Sequence, residues 1–253
     1  MVTKVSDRPL IGNGCVMAIG GNEDKRAARE SILAAFVRRA GGDDARIVII
    51  PSASMKPVER AARYTRIFGK LGVQQIRTVH ADGGIDAEER EAIRTATGIF
   101  VTGGDQLRLM ELLRAADGVE LIRKTVREGA VYAGTSAGAS ALSHRMIAGS
   151  TRRRRTDIVE YDEGLGLIPD AIIDQHFGER RRLSRLISAS TAYALTGIGI
   201  DENTALVWNH DGLITVEGAG EVTIVNPDRG RIDPHAQSYR LQILRPGAHF
   251  LAD

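Results

Sequence analysis

Short apolar runs without polar alternation, each followed by a helical pattern, constrain this chain more than any other feature. Residues 15–19 (Cys-Val-Met-Ala-Ile), 47–50 (Ile-Val-Ile-Ile), 99–101 and 131–133 read as strands buried on both faces. A weaker strand fits residues 75–79. Between them lie helical stretches. In residues 24–40, Ala28, Ile32, Ala35 and Phe36 share one face, and Gly41-Gly42 ends the run. Residues 58–71, 87–94, 106–116 and 119–128 follow the same period. Strands of this kind, separated by helices, make an α/β fold with a parallel sheet covered on both faces. In such sheets ligands bind beyond the carboxyl ends of the strands.

Loops rich in glycine and polar residues occupy those ends. They are Gly20-Gly21-Asn22-Glu23-Asp24, Gly103-Gly104-Asp105-Gln106 and Gly134-Thr135-Ser136-Ala137-Gly138. The last places a serine between two glycines, where a strand turns into a helix expected over residues 137–145. That is the arrangement of a nucleophile elbow. A tight turn pushes the serine oxygen out of the backbone. The glycines tolerate the dihedrals and let a carbonyl approach. The helix start aims backbone N–H groups at the oxygen that gains charge during attack. The backbone N–H of Ala137 and a glycine of Gly103-Gly104 are the expected oxyanion donors.

The second half reads differently. Residues 146–167, polar and rich in arginine (Arg152 to Arg155), read as a long connection. Residues 172–177 form a strand that ends at His176. A helix follows, with Leu183, Leu186, Ile187 and Ala194 on one face. Residues 198–200 and 205–208 flank Asp201-Glu202-Asn203. Residues 212–250 alternate in the manner of antiparallel hairpins, with turns near Gly218-Ala219-Gly220 and Asn226-Pro227. With 253 residues, the chain suits one domain, a catalytic core over about 16–208 with a hairpin extension over about 209–253.

Several classes are disfavoured. Cys15 is the one cysteine, so no disulfide forms within the chain. The first ten residues lack the apolar stretch of a secretory signal, and no segment has the roughly 20 apolar residues that cross a bilayer. The expected setting is the cytoplasm, with no membrane partner. Neither H-E-x-x-H nor paired cysteines point to a metal, and neither G-x-G-x-x-G nor a Walker sequence points to a nucleotide. No cofactor is expected. Nucleic-acid binding would rest on Arg152 to Arg155 alone, without interleaved aromatics, and is not expected.

A serine nucleophile needs a base, and the chain has six histidines. His144, eight residues beyond Ser136, would stand about 12 Å away along one helix. His210, His235 and His249 fall in the polar hairpins. His80 also ends a strand. His176 ends a strand and precedes a helix, so it shares a sheet edge with Ser136 and is the best placed. Its orienting acid is open between Asp174, on the same strand face, and Glu202, whose position between apolar runs demands a partner.

Three segments carry a resemblance. Gly-Thr-Ser-Ala-Gly-Ala at 134–139, Asp174-Gln175-His176-Phe177 with Arg180, Arg182 and Arg185, and Gly199-Ile200-Asp201-Glu202-Asn203-Thr204-Ala205 together resemble the cyanophycinases. These are serine exopeptidases grouped with aspartyl dipeptidases in peptidase family S51. The resemblance runs from about residue 16 to 208, in the family's motif order. It implies a three-layer, flavodoxin-like, mostly parallel sheet related to class I glutamine amidotransferases, and a homodimer. It also implies Ser136 as nucleophile, His176 as base and Glu202 as orienting acid. Gln106, Asp174, Gln175, Arg180, Arg182 and Arg185 match the family's pocket, and Asp105 and Glu23 lie near it. The implied substrate is cyanophycin, a poly-aspartate backbone with arginine joined to each side-chain carboxylate, released as β-Asp-Arg dipeptides. Short aspartyl or isoaspartyl peptides are the alternative substrate, and a non-catalytic polymer-binding protein is the second alternative. Arginines would grip carboxylates as bidentate forks. Asp174, Asp105, Glu23, Gln106 and Gln175 would receive the guanidinium.

Overall fold

Alternation along each central strand sends side chains into two separate cores. The computed structural model describes residues 9–24, 28, 30–152, 157–227 and 238–251. Strands β1 (Cys15–Ile19), β2 (Arg46–Ile50), β3 (Gln75–Thr78), β4 (Gly98–Val101) and β5 (Val131–Thr135) lie parallel in the order β1-β5-β4-β2-β3. Met17, Ile19, Ile47, Ile49 and Phe100 face one side, with Leu33 and Phe36 of α1 (Ile32–Arg39) and Tyr64 and Phe68 of α2 (Pro57–Lys70). Val16, Ala18, Val48, Ile50, Ile99 and Val101 face the other. There they meet Ile93 of α3 (Ala87–Thr95), Leu109 of α4 (Gln106–Ala115) and Ile122 of α5 (Gly118–Arg127). This two-sided burial is why these strands lack polar alternation. The three-layer α/β architecture expected from the sequence is therefore present.

The other edge of the sheet is antiparallel. Strands β10 (Thr204–Trp208), β11 (Leu213–Gly218) and β14 (His249–Leu251) extend it beyond β1 in that order. The segment of His176 does not join this sheet. Strand β8 (Ala171–Gln175) pairs parallel with β9 (Thr196–Ile200) in a second sheet, completed by antiparallel β12 (Val222–Pro227) and β13 (Tyr239–Leu244). The turn near Gly218-Ala219-Gly220 thus passes the chain from one sheet to the other and closes no hairpin.

Three local expectations are corrected. The helix after Ser136, α6, ends at Ser140 and not near residue 145 (Ala137–Ser140). The carbonyls of Ala141 and Leu142 are taken instead by the N–H groups of Leu165 (2.6 Å) and Ile168 (3.0 Å), so the next helical turn is displaced. The expected connection over 146–167 is largely a hairpin, β6 (Arg145–Arg152) against β7 (Asp157–Glu163), with a register shift between Ile147 and Gly149. Arg145 stacks 5.2 Å over the Tyr193 ring of α7 (Leu183–Tyr193), and Tyr161 packs edge-on against the same ring. Of the run Arg152 to Arg155, the last three lie outside the described residues. Of the helix expected over 24–40, α1 (Ile32–Arg39) is present, and residues 25–27 and 29 lie outside the described residues. Ser31 is extended (φ −73°, ψ 157°), and its hydroxyl accepts from Ala34 N at 3.2 Å as the N-cap.

Phe100 holds the first core together, with ring centroids 4.6 Å from Tyr64, 5.2 Å from Phe68 and 5.6 Å from Phe36. Phe100→Ala removes a wholly buried ring and is expected to destabilise the fold by about 3–5 kcal/mol. At roughly 2–4 °C per kcal/mol for a chain of this size, calorimetry should show melting lowered by about 10 °C. A loss below about 1 kcal/mol in urea titration would contradict this packing.

Candidate active site

The end of β1 gathers three distant segments by backbone hydrogen bonds. The carbonyl of Ile19 accepts the N–H of Ser136 (2.9 Å), that of Gly20 accepts His176 N (2.8 Å), and that of Gly21 accepts Asn203 N (2.8 Å). Ser136 stands between β5 and α6, His176 follows β8, and Asn203 lies between β9 and β10. Consecutive carbonyls of one strand end therefore set the spacing of the serine, the histidine and the segment that carries Glu202.

Side chains complete the arrangement. Ser136 Oγ lies 2.9 Å from His176 Nε2, and His176 Nδ1 lies 2.6 Å from Glu202 Oε1. The second oxygen of Glu202 accepts from Asn22 Nδ2 at 2.9 Å. Gln175 Oε1 is 3.4 Å from the Ser136 hydroxyl, so the imidazole is its nearer acceptor. Burial pushes the Glu202 carboxyl upward. Hydrogen bonds from Asn22 and His176, with the charges of His176 and Arg180, outweigh this and hold it below the usual carboxylate value of 4.5. The sign follows: the carboxylate adds stability above that pH, and the contribution fades as the pH falls through the lowered value. A hydroxyl, an imidazole and an ionised carboxylate in series can move a proton away from the hydroxyl as it attacks a carbonyl.

Strain is concentrated on the serine. Ser136 has φ 54° and ψ −109°, whereas Gly134 and Gly138 are absent from the positive-φ residues. The motif's glycines serve close approach instead of unusual dihedrals. A Cβ on Gly134 would lie 2.2 Å from Gly138 O, and one on Gly138 would lie 2.5 Å from Val101 O. Only bare backbone lets α6 press onto β5 and β4. The first-turn N–H groups of α6, beginning with Ala137, are those a helix leaves without an internal partner. Gly103 sits across from them, its missing Cβ only 3.0 Å from Ser136 Cβ. Gly104 follows in the same loop, anchored on Ala53 through the 2.8 Å bond from Asp105 N.

The remaining residues singled out by sequence take varied positions. Asp105 is the N-cap of α4, accepting from Leu107 N (2.8 Å) and Arg108 N (3.2 Å). Gln106 donates its amide to the carbonyls of Ile147 and Ala148, both at 3.0 Å, which fixes the β6 strand beside the site. Asp174 is fully buried and takes a bidentate fork from Arg185, with Nε at 2.6 Å, together with Arg182 Nη1 at 3.1 Å. His176 Nδ1 is thus met by Glu202, and the Asp174 carboxylate is met by arginines. Arg182 also donates to Gln175 O at 2.5 Å. Burial lowers the Arg182 guanidinium to about 10, with attraction to Asp174 opposing, so it remains charged at neutral pH. Arg180 is exposed at the rim. Glu23 is turned inward, only 2% exposed, and does not face the cleft.

His144 lies beside Gly166 with its side chain exposed, and His210 and His249 are exposed as well. His235 lies outside the described residues. Two functional positions were not singled out from the sequence. Asn22, which holds Glu202, was visible only as part of a polar glycine loop. Gly21, at φ 105°, lies against the imidazole face. Among the described residues, no group of three or more His, Cys, Asp or Glu side chains is placed to hold a metal ion.

The family model for peptidase family S51 matches residues 16–216. A cyanophycinase of Trichormus variabilis is 43% identical over 265 aligned residues, covering 96% of this chain and 87% of that protein. A cyanophycinase of Synechococcus elongatus is 45% identical over 233 residues, covering 89% of this chain and 72% of the relative. In fold, the crystal structure of a peptidase from an acI-B1 actinobacterium superposes with a TM-score of 0.71, at 22% identity, over 96% of this chain and 98% of the other.

Gly21→Ala tests how tightly the imidazole is confined. The added Cβ would lie 2.3 Å from His176 Cε1 and 2.6 Å from Nε2, at a φ that disfavours any side chain. Turnover is expected to fall by about 100-fold, the scale of an ångström-sized misplacement. Steady-state kinetics on protein with an unchanged circular dichroism spectrum checks it.

Proposed function

Because the chain belongs to peptidase family S51, we propose that it is a serine exopeptidase that hydrolyses the poly-aspartate backbone of cyanophycin and releases β-Asp-Arg dipeptides. The observation that carries this reading is the unbroken series from Ser136 Oγ to His176 (2.9 Å) to Glu202 (2.6 Å). The proposed roles follow from its order. His176 accepts the serine proton at Nε2 as Oγ attacks an aspartyl carbonyl. Glu202 receives the Nδ1–H and stabilises the imidazolium. Ala137 N–H, with a donor from Gly103-Gly104, holds the oxyanion. The imidazolium then protonates the leaving amine, and water cleaves the acyl-enzyme by the same route.

The substrate reading draws on the charges at the rim. A β-Asp-Arg unit presents carboxylates and a guanidinium. Exposed Arg180 supplies a cation whose charge is felt at Glu202. Arg182 and Arg185, neutralised in part by Asp174, keep a net positive charge behind Gln175. Gln106 and Gln175 provide amide oxygens for the guanidinium. The same reading carries a cytoplasmic homodimer. Among the described residues, no helix is long and apolar enough to cross a membrane.

Digestion of cyanophycin, followed by mass spectrometry, should yield β-Asp-Arg dipeptide. Cleavage of simple aspartyl dipeptides with cyanophycin left intact would favour the dipeptidase alternative. Ser136→Ala should lower turnover by several powers of ten. Glu202→Gln should cost about 10⁴-fold in acylation, the scale of a lost orienting acid. Asp174→Asn should raise KM and also lower acylation, but by less than Glu202→Gln does. Near-normal turnover in Ser136→Ala would refute the mechanism.

A further inference from the structure

A buried carboxylate that the proposed chemistry does not use sits two residues beyond Gly21, the last of the three carbonyls that space the site. Glu23 follows Gly20, Gly21 and Asn22. One of its oxygens accepts the hydroxyl of Thr135 at 2.6 Å, and the other accepts the hydroxyl of Tyr64. The three residues are 2%, 3% and 2% exposed for Glu23, Thr135 and Tyr64. Thr135 is the last residue of β5 and precedes Ser136. Tyr64 is fixed from below by Phe100 (4.6 Å) and Phe68 (6.1 Å). Burial first, and the Glu23 charge second, push the Tyr64 hydroxyl well above the usual tyrosine range, so it stays a donor.

We infer that Glu23 is a positioning residue that clamps the loop after β1 to the serine strand through Thr135 and Tyr64, and so sets the distance between Ser136 and His176. The inference rests on Ser136 being the nucleophile of the proposed function. Its logic is geometric. The loop of residues 20–24 presents the Gly20 and Gly21 carbonyls to His176 N and Asn203 N, and the Asn22 amide to Glu202. Its near end is held by β1. Its far end is held by Asp24 N on Asn203 Oδ1 (2.9 Å) and by the Glu23 carboxylate. The Asp24 bond moves with the Asn203 segment. The Glu23 bonds tie the loop to β5 and α2, the frame on which the serine stands. A slack loop would let His176 and Glu202 drift together away from Ser136 while every bond between them survived.

Thr135→Val tests this with one oxygen replaced by a methyl group, and Thr135→Ser restores the donor. Both are assayed beside the wild-type chain for thermal melting, for cyanophycin hydrolysis normalised to active sites, and for the rate at which a fluorophosphonate labels Ser136. In Thr135→Val, kcat and the labelling rate should fall together by about 10- to 100-fold, with KM changed less than about threefold. Thr135→Ser should recover most of both. Tyr64→Phe should give a smaller drop of the same kind. A Thr135→Val protein that melts lower but keeps kcat and labelling within about twofold of wild type would show Glu23 to be merely structural and overturn the inference. So would failure of Thr135→Ser to recover. A wild-type chain that labels but leaves cyanophycin intact would sink the substrate reading alone, and the labelling ratio between variants would still decide the role of Glu23.

Discussion

The hydroxyl, the imidazole and the carboxylate of the candidate site are spaced by the carbonyls of Ile19, Gly20 and Gly21. They accept, in order, the N–H groups of Ser136, His176 and Asn203. These donors come from three chain segments and two different sheets, so no single element could hold them in register. The end of β1 and the two glycines that follow it do so together: Ile19 still pairs with Thr135, and Gly20 and Gly21 offer their carbonyls to the other two segments. β1 is central in the large sheet, flanked by β5 on one side and β10 on the other. The rigid middle of the fold thus lends its precision to the site.

The donors are also the strained residues. Ser136, His176 and Asn203 have φ of 54°, 48° and 50°, and Asn22 has 47°. Left-handed backbone at a non-glycine residue costs on the order of 1–3 kcal/mol. One backbone hydrogen bond returns about 0.5–1.5 kcal/mol net. The carbonyls alone therefore do not hold these conformations, and further anchors must act beside them. Phe177, next to His176, is buried with Leu186 and Ala189 in the core of the second sheet. Asp201, next to Glu202, accepts from Gly178 N (2.9 Å) and Glu221 N (3.1 Å). The carbonyl of Ser136 accepts from Ala139 and Ser140 in the first turn of α6. Ser136 and His176 are thus held by anchors additional to the β1 carbonyls, and the segment of Asn203 is held through Asp201.

Legibility in the sequence followed the range of the forces involved. The two-faced strands were plain from residues such as Ile47-Val48-Ile49-Ile50, because burial on both sides removes polar alternation. Ser136 and His176 were legible as residues at strand ends. Spacing did not choose between Asp174 and Glu202, since both lie within plausible reach along the chain, and only the resemblance pointed to Glu202. What separates them is three-dimensional: Arg185 and Arg182 occupy the first, and the imidazole meets the second. The second sheet was also hidden, because β8 is as buried as the central strands of the first and only pairing distinguishes them. The early end of α6 had no local signal either. Its cause is the return of Leu165 and Ile168 onto carbonyls more than twenty residues earlier.

The arginines behind Gln175 show how the site can be cationic and rigid together. Two guanidinium groups on one buried carboxylate leave a net positive charge, and a lone buried arginine would be expensive to desolvate. Asp174 lowers that cost without cancelling the field. It also orders Gln175, through its own backbone N–H at 3.0 Å and through Arg182 on the Gln175 carbonyl. Gln175 precedes His176 directly. An acid that seemed from its spacing to compete for the imidazole thus acts one step removed, fixing the backbone from which the imidazole projects. The field that attracts carboxylates and the framework that aims the base are therefore built from the same ion cluster, and a change of charge there must move both.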